Sequence, residues 1–241
     1  MPKIIMNRLN DAYEQMLGHN QYGFRQNRST TDAIFVLKNI LKKTSRSLIA
    51  VFIDLKSAYD WIPRDALLKV IQFRTGASKI VNIIRESFRN TEAKIKGSKD
   101  KFATASGLKQ GSSDSPPYFN IYFDFCIEVA KHQIKHKNLC HQIKMKYQIP
   151  LECVGKREER ATGDTRGVIK IEEEEYADDL VCITGNIEEA KVTTEVYNAT
   201  FARFGLTIAR DKTETMAFNF DESTKTKETL FSIDGTPIKN V

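Results

Sequence analysis

Apolar residues recur at helical spacing in some stretches of the chain and at extended spacing in others, and the switches between the two mark its elements. Residues 4–17 (IIMNRLNDAYEQML) carry a helical pattern that Gly18–Asn20 interrupts. After QYGFRQNRS, residues 30–43 put Ala33, Ile34, Leu37, Ile40 and Leu41 on one helix face; Ser29 or Thr30 suits the cap and Asp32 the first turn. SLIAVFIDL (47–55) reads as a strand buried on both faces, charged only near its end. Two helices, 64–74 and 77–89, flank Gly76, and a hairpin around Gly97–Asp100 joins Lys94–Lys96 to Phe102–Ala105. A helix from Ser115 to Lys135 follows the Gly/Ser/Pro-rich loop 107–117, with Pro117 tolerated in its first turn. Residues 138–167 mix short apolar runs with charge clusters and are expected to be irregular. GVIKIEEEEYADDLVCIT (167–184) predicts strand, turn, strand; a helix over 187–204 ends at Gly205, and short strands follow near 213–219, 229–233 and 236–239. This order predicts an α+β fold with a mostly antiparallel sheet.

With 41% hydrophobic and 28% charged residues, the 241-residue chain falls outside the disordered and low-complexity classes. No apolar run reaches the ~18 residues of a membrane span, and no signal-peptide pattern opens the chain. A soluble, intracellular protein with no membrane partner is the expectation. Four cysteines without a CxxC pair point to reduced thiols. His132 and His136, near Cys140 and His141, permit a zinc site but lack a second spaced pair. The excess of 37 basic over 31 acidic residues, a net +6, is compatible with a polyanionic partner. Lys94, Lys96, Lys99, Lys101, Lys131, Lys135 and Lys137 suit phosphate contacts or a solvated face equally.

Two acidic features carry chemistry. Asp54 ends an otherwise apolar strand, and Asp178–Asp179 sit at the predicted turn of YADD. A carboxylate at a buried strand end is costly unless paired or metal-bound. Three such groups brought together form an oxygen-only site suited to Mg²⁺. Two ions about 3.5–4 Å apart would stabilise the attacking and leaving oxygens of an in-line phosphoryl displacement. The alternative is a strand-end residue and an ordinary turn pair.

Five blocks bear on that choice: QYGFRQNRSTTDA (21–33), FIDLKSAYD (52–60), GLKQGSSDSPPYFN (107–120), YADD (176–179) and GLTIARDKTETMAF (205–218). In this order they resemble the reverse transcriptases of non-LTR retrotransposons. The resemblance implies an RNA-directed DNA polymerase with partial fingers at 1–46 and a palm at 47–241. Fingers helices and a hairpin at about 64–106 would be inserted in it, and 138–170 would be irregular. It makes Asp54, Asp178 and Asp179 the catalytic, metal-binding triad, with the Leu55 carbonyl an extra ligand. Tyr59 would lie under the incoming sugar and favour deoxynucleotides; Gln110, Gly111 and Lys212 would line the nucleotide site; Arg25 and Arg28 would meet the template. Apart from the resemblance, Tyr59 reads as a core aromatic, Gln110 as a loop residue and Lys212 as a solvated lysine. The implied cofactor is Mg²⁺, two ions, with Mn²⁺ the alternative. The implied partners are an RNA template, a DNA primer and dNTPs, and the implied location is the nucleus or a ribonucleoprotein particle.

The chain departs from the family pattern in three ways. It starts after the family's basic fingers hairpin and stops before its primer grip and thumb, so a domain truncated at both ends is expected. Asp114 and Tyr118 replace a small or apolar residue and an aliphatic one. Glu172–Glu175 load the strand entering YADD; alternation turns two of them inward, at a cost unless cations meet them, or one pair outward with an edge position. Three readings follow: a polymerase weak as this fragment, a catalytically dead nucleic-acid-binding remnant, or an unstable product of a decayed element.

Overall fold

A computed structural model of the chain describes residues 5, 8–9, 13–97, 100–137, 143–148, 166–171 and 173–241, with 143–148 and 166–171 described by backbone alone. Residues 13–16 are helical. They are followed by α1 (Thr30–Lys43), β1 (Leu48–Ile53), α2 (Ala58–Trp61), α3 (Arg64–Thr75), α4 (Ser78–Phe88), β2 (Glu92–Lys94) and β3 (Lys101–Ala103). Next come α5 (Ser115–His136), β4 (Ile143–Gln148), β5 (Arg166–Ile171), β6 (Glu173–Tyr176) and β7 (Asp179–Thr184). The chain closes with α6 (Ile187–Arg203), β8 (Glu214–Phe218), α7 (Glu222–Lys225), β9 (Thr229–Ile233) and β10 (Thr236–Asn240). No described helix is long and apolar enough to cross a membrane.

Six strands form one sheet in the order β6-β7-β1-β8-β10-β9. Every neighbouring pair is antiparallel except β8–β10, because the β9–β10 hairpin turns at Asp234–Gly235 and returns its second strand beside β8. Its Asp-Gly turn holds both residues at positive φ, as a tight hairpin with right-handed strand twist requires. The α+β architecture and the antiparallel-dominated sheet agree with the sequence.

Side-chain alternation along β1 divides its residues between two packed faces. Ile49, Val51 and Ile53 join Leu180 and Cys182 of β7 against Phe119, Tyr122, Phe123 and Cys126 of α5 and Val196, Tyr197 and Phe201 of α6. Leu48 and Ile183 instead meet Ile40 of α1, with Val36, Leu37, Leu41, Val181 and Phe218 around them. Burial of β1 on both sides explains its unbroken apolar run. Ser29 caps α1: its hydroxyl accepts from the Asp32 amide, and the Asp32 carboxylate accepts from the Ser29 amide at 2.8 Å.

The acidic strand β6 lies at the sheet edge. Glu173 and Glu175 are both buried. Lys131 of α5 reaches Glu173 at 2.6 Å, and Asn20 donates to the same carboxylate at 3.2 Å. Gln21 donates to Glu175 at 3.3 Å. The inward pair is therefore real, and its partners among the described residues include the Lys131 ammonium and the Asn20 and Gln21 side-chain amides. The backbone of 20–22 covers the edge itself: Glu175 N–H donates to Asn20 C=O and Tyr22 N–H to Glu175 C=O, each at 2.9 Å.

One sequence expectation needs correction. The stretch 138–170 was expected to be irregular, yet β4 pairs antiparallel with β5 from Ile143–Ile171 to Gln148–Arg166. IKMKYQ alternates lysine with apolar residues, a strand pattern that the surrounding charge masks. Residues 138–142 and 149–165 of that stretch lie outside the described residues, as do Cys140 and His141 of the candidate zinc group. Cys126 and Cys182 are buried free thiols.

Candidate active site

Asp54 follows directly on β1, where the chain is held by residues 207–213. Its carbonyl accepts from the Ala209 amide at 2.8 Å, and the Lys56 amide donates to the Thr207 carbonyl at 2.8 Å. Leu55, buried, bridges Ile208 between these bonds; its own carbonyl takes part in neither. The same segment carries Lys212, whose Nζ stands 3.6 Å from Asp54 Oδ2.

The second acidic feature forms where β6 turns into β7. Tyr176 pairs with Asp179, leaving Ala177 and Asp178 as a two-residue turn with Ala177 at φ 57°. β7 pairs with β1 such that Ile53 faces Leu180, so one step further Asp54 stands beside Asp179. Alternation sends both carboxylates to the face occupied by α1. There Thr30, Ala33 and Ile34 of α1, Phe52, Asp54, Asp179 and Lys212 line a cleft of about 380 Å³.

The electrostatics of this corner are those of an acidic cluster that Lys212 offsets in part. Burial and then the neighbouring Asp178 and Asp54 charges push the Asp179 carboxyl above its usual range. Among the described residues, however, no three carboxylate, imidazole or thiol groups converge in metal-ligating geometry. Asp54 is instead drawn toward Lys212. The donor set is all oxygen and the strand register brings two of the three acids side by side, so the backbone fits a hard divalent cation while the side chains stand apart.

A pH-dependent prediction follows from the raised Asp179 carboxyl. Because the folded state holds that proton more tightly than the unfolded chain, ionisation costs stability as pH rises from about 3.8 through the folded value. Asp179→Asn should therefore raise the metal-free Tm at pH 7.5 and leave it unchanged near pH 4. Asp179 is exposed, so the gain is roughly 0.5–1 kcal/mol, or about 2 °C for a chain of this size. A melting series at the two pH values checks it; an equal shift at both would refute the charge origin.

The other residues named from the sequence lie around this corner. The Tyr59 ring stacks on Phe119 at 4.5 Å, and its hydroxyl is buried without a hydrogen-bond partner among the described residues. Burial, then the Asp178 charge, raise the pKa of that hydroxyl. Gln110 donates to the Asp60 carboxylate at 3.3 Å from an exposed loop, and Gly111 follows it at φ 82°. Neither they nor Tyr59 line the cleft that Asp54 and Asp179 share. Arg28 lies over the Tyr22 ring at 5.2 Å and donates to the His19 carbonyl. Arg25 points inward: 6% exposed, its guanidinium binds the Glu14 carboxylate at 2.9 Å and the Gly18 and Gln21 carbonyls at 2.7 and 3.2 Å. A template contact by Arg25 would have to break that network.

The structure adds residues that the sequence reading passed over. Gln21, fully buried, accepts from the Ala177 amide at 3.1 Å and donates to the Ala177 carbonyl at 3.4 Å. Gly23 lies so close that a Cβ there would sit 2.2 Å from the Ala177 nitrogen. Asn120 of α5 donates to the Gly23 carbonyl at 2.7 Å, and Asp124, paired with Arg74 at 3.1 Å, accepts from the Gly18 amide at 3.0 Å. The only sequence signal for this support was the QYGFR block itself, where the arginines drew attention away from the glutamine and glycine.

Comparison with known proteins agrees with this geometry. No curated protein matches the sequence significantly. Solved structures that resemble the chain include an apo telomerase from Candida tropicalis truncated from its C-terminal domain, at TM-score 0.57 and 16% identity over 94% of this chain and 41% of that one. A telomerase from Candida albicans in complex with a TWJ fragment of telomeric RNA matches at TM-score 0.57 and 12% identity, over 99% of this chain and 36% of that one. At such identities the likeness is one of fold, and this chain spans well under half the length of those proteins. The family model for reverse transcriptase (RNA-dependent DNA polymerase) matches residues 1–231, nearly the whole sequence. By that match the chain belongs to the reverse transcriptase family, an RNA-directed DNA polymerase domain whose members use divalent metal ions.

Proposed function

We propose that this chain carries the nucleotidyl-transfer site of a non-LTR retrotransposon polymerase, extending a DNA primer with dNTPs along an RNA template. One observation carries the reading: the pairing of Ile53 with Leu180 sets Asp54 beside Asp179 at a cleft that Lys212 also lines. In the reaction the primer 3′ oxygen bonds to the α-phosphorus, the bond to the β-phosphate oxygen breaks, and the hydroxyl proton and pyrophosphate depart. Two Mg²⁺ ions, or Mn²⁺ in their stead, supply charge stabilisation to the attacking and leaving oxygens when bound. Asp54, Asp178 and Asp179 would hold them, with the Leu55 carbonyl as a further donor.

The remaining roles belong to the chain itself. Lys212 neutralises phosphate charge once Asp54 is engaged elsewhere. Tyr59, held rigid on Phe119, excludes a 2′-hydroxyl. Gln110 and Gly111 border the nucleotide, Arg28 meets the template, and Arg25 serves it by holding the loop from within. Residues 1–46 act as partial fingers and 47–241 as palm. Membership of a non-LTR retrotransposon, with action in the nucleus or a ribonucleoprotein particle, rests on the five sequence blocks and their order.

Primer extension on poly(rA)/oligo(dT) with Mg²⁺ tests the proposal. The expected result is slow dTMP incorporation by the cooperatively folded chain. A folded chain that binds primer–template but incorporates nothing supports the second reading, a binding remnant. That reading is favoured by one observation: among the described residues, no three carboxylate, imidazole or thiol groups stand in metal-ligating geometry. A broad, non-cooperative melt would leave only the product of a decayed element.

A further inference from the structure

We infer that Gln21 is the positioning residue of the acidic turn: its side-chain amide fixes where Asp178 and Asp179 stand. The kinetic part of this inference rests on the polymerase reading. A two-residue turn led by an alanine at φ 57° is strained for an L residue and does not hold its shape unaided. Here the restraint comes from outside the hairpin. Gln21 Oε1 accepts from the Ala177 amide at 3.1 Å and the Gly23 amide at 2.8 Å, while Nε2 donates to the Ala177 carbonyl at 3.4 Å and the Glu175 carboxylate at 3.3 Å. Both backbone polar groups of Ala177 are thus tied to one fully buried side chain.

Few side chains meet this demand. The site asks for two acceptances on one oxygen and donation to both a carbonyl and a carboxylate, which a primary amide of this length supplies. Glutamate offers acceptors only and would face Glu175 as a like charge. Alanine would leave buried groups of Ala177 and Gly23 without that partner, since Ala177 itself is only 6% exposed. The bracket is anchored in turn, through the 20–22 backbone on β6, through Asn120 and Asp124 on α5, and through Arg25 on the Gly18 and Gln21 carbonyls. Such outer support is what holds a catalytic group to sub-ångström tolerance.

The test uses the full 241-residue chain with Gln21→Ala, Gln21→Glu and the double variant Gln21→Glu/Glu175→Gln. Amide hydrogen exchange is followed at Ala177 and, as a control for global unfolding, at Val51 in β1; kcat and KM for dTTP are measured alongside. Gln21→Ala should speed Ala177 exchange about tenfold or more while Val51 stays protected, and lower kcat about 30–100-fold with KM within about threefold. Gln21→Glu should behave similarly, and adding Glu175→Gln should restore part of the loss, the share due to the like charges, because donor and acceptor are reversed across that contact while the Ala177 carbonyl still lacks its donor. A merely structural role would move Val51 as well and would give no rescue. Unchanged Ala177 exchange, parallel loss at Val51, a kcat unaltered in a variant of an active wild type, or a double variant no better than Gln21→Glu overturns the inference. A wild type that extends no primer sinks the polymerase reading alone, because exchange and its rescue still decide on Gln21.

Discussion

Gly23→Ala is expected to abolish at least 99% of primer extension while leaving a protein that still folds. The added Cβ would lie 2.2 Å from the Ala177 nitrogen, 2.8 Å from its Cα and 3.0 Å from its Cβ. The first two contacts are with backbone, so no rotamer change relieves them. Either the 20–23 segment lifts off β6 or the acidic turn moves, by somewhat under 1 Å at the least. A shift near that size at a reacting centre is worth about 10²-fold in rate. Overpacking of this kind lowers stability by about 1–3 kcal/mol, several degrees in Tm rather than collapse. Ala177→Gly should not rescue the variant, because the worst overlap is with the nitrogen that every residue carries. Extension kinetics, primer–template binding and a melt on the same preparations check the prediction; wild-type kcat in Gly23→Ala would show that the loop and the turn are not in contact.

Much of the scaffold that aims this turn was legible in the sequence. Residues 30–43 form the helix that their apolar spacing predicts, with Ser29 rather than Thr30 as the cap. The run LIAVFI became a strand because two cores claim its alternating side chains, and its closing Asp54 was visible as the first charge after them. Local pattern carried this information, since each element's own residues decide it. The short helix Ala58–Trp61 had no such signal: four residues do not complete a periodic pattern.

What was not legible depends on partners far away in the chain. Glu173 and Glu175 posed a visible problem, two acids facing inward, but its solution lies in Lys131 and in Asn20 and Gln21, over 40 and 150 residues away. The surroundings of Arg25 were hidden for a different reason. Its motif pointed outward to a template, whereas Glu14 and two nearby carbonyls, all within 11 residues, draw its guanidinium in. The candidate site divides the same way. The identities of the three acids could be read from their positions in strand and turn; the amide and glycine that support the turn could not, because each works through backbone atoms of Ala177 that no sequence pattern displays.

Asp54→Asn and Asp178→Asn should each reduce incorporation at least about 10³-fold, and the double variant should be little worse than either. The argument is one of shared labour. If the carboxylates act by jointly fixing divalent cations, removing one anionic donor already disables the assembly, and groups that act as a unit lose their effect once rather than additively. Three independent binding residues would instead give losses that multiply. Stability separates this from misfolding: Asp178 and Asp54 both raise the Asp179 carboxyl, so neutralising either should leave the metal-free Tm equal or slightly higher. Asp54→Asn also releases Lys212 from its partner at 3.6 Å, an exposed contact worth under about 1 kcal/mol. Loss of activity together with unchanged or raised Tm and retained primer–template binding is the signature of a metal-holding role. Substantial extension by Asp178→Asn, or a double variant whose loss is the product of the single losses, would remove the basis for assigning the chemistry to this corner of the sheet.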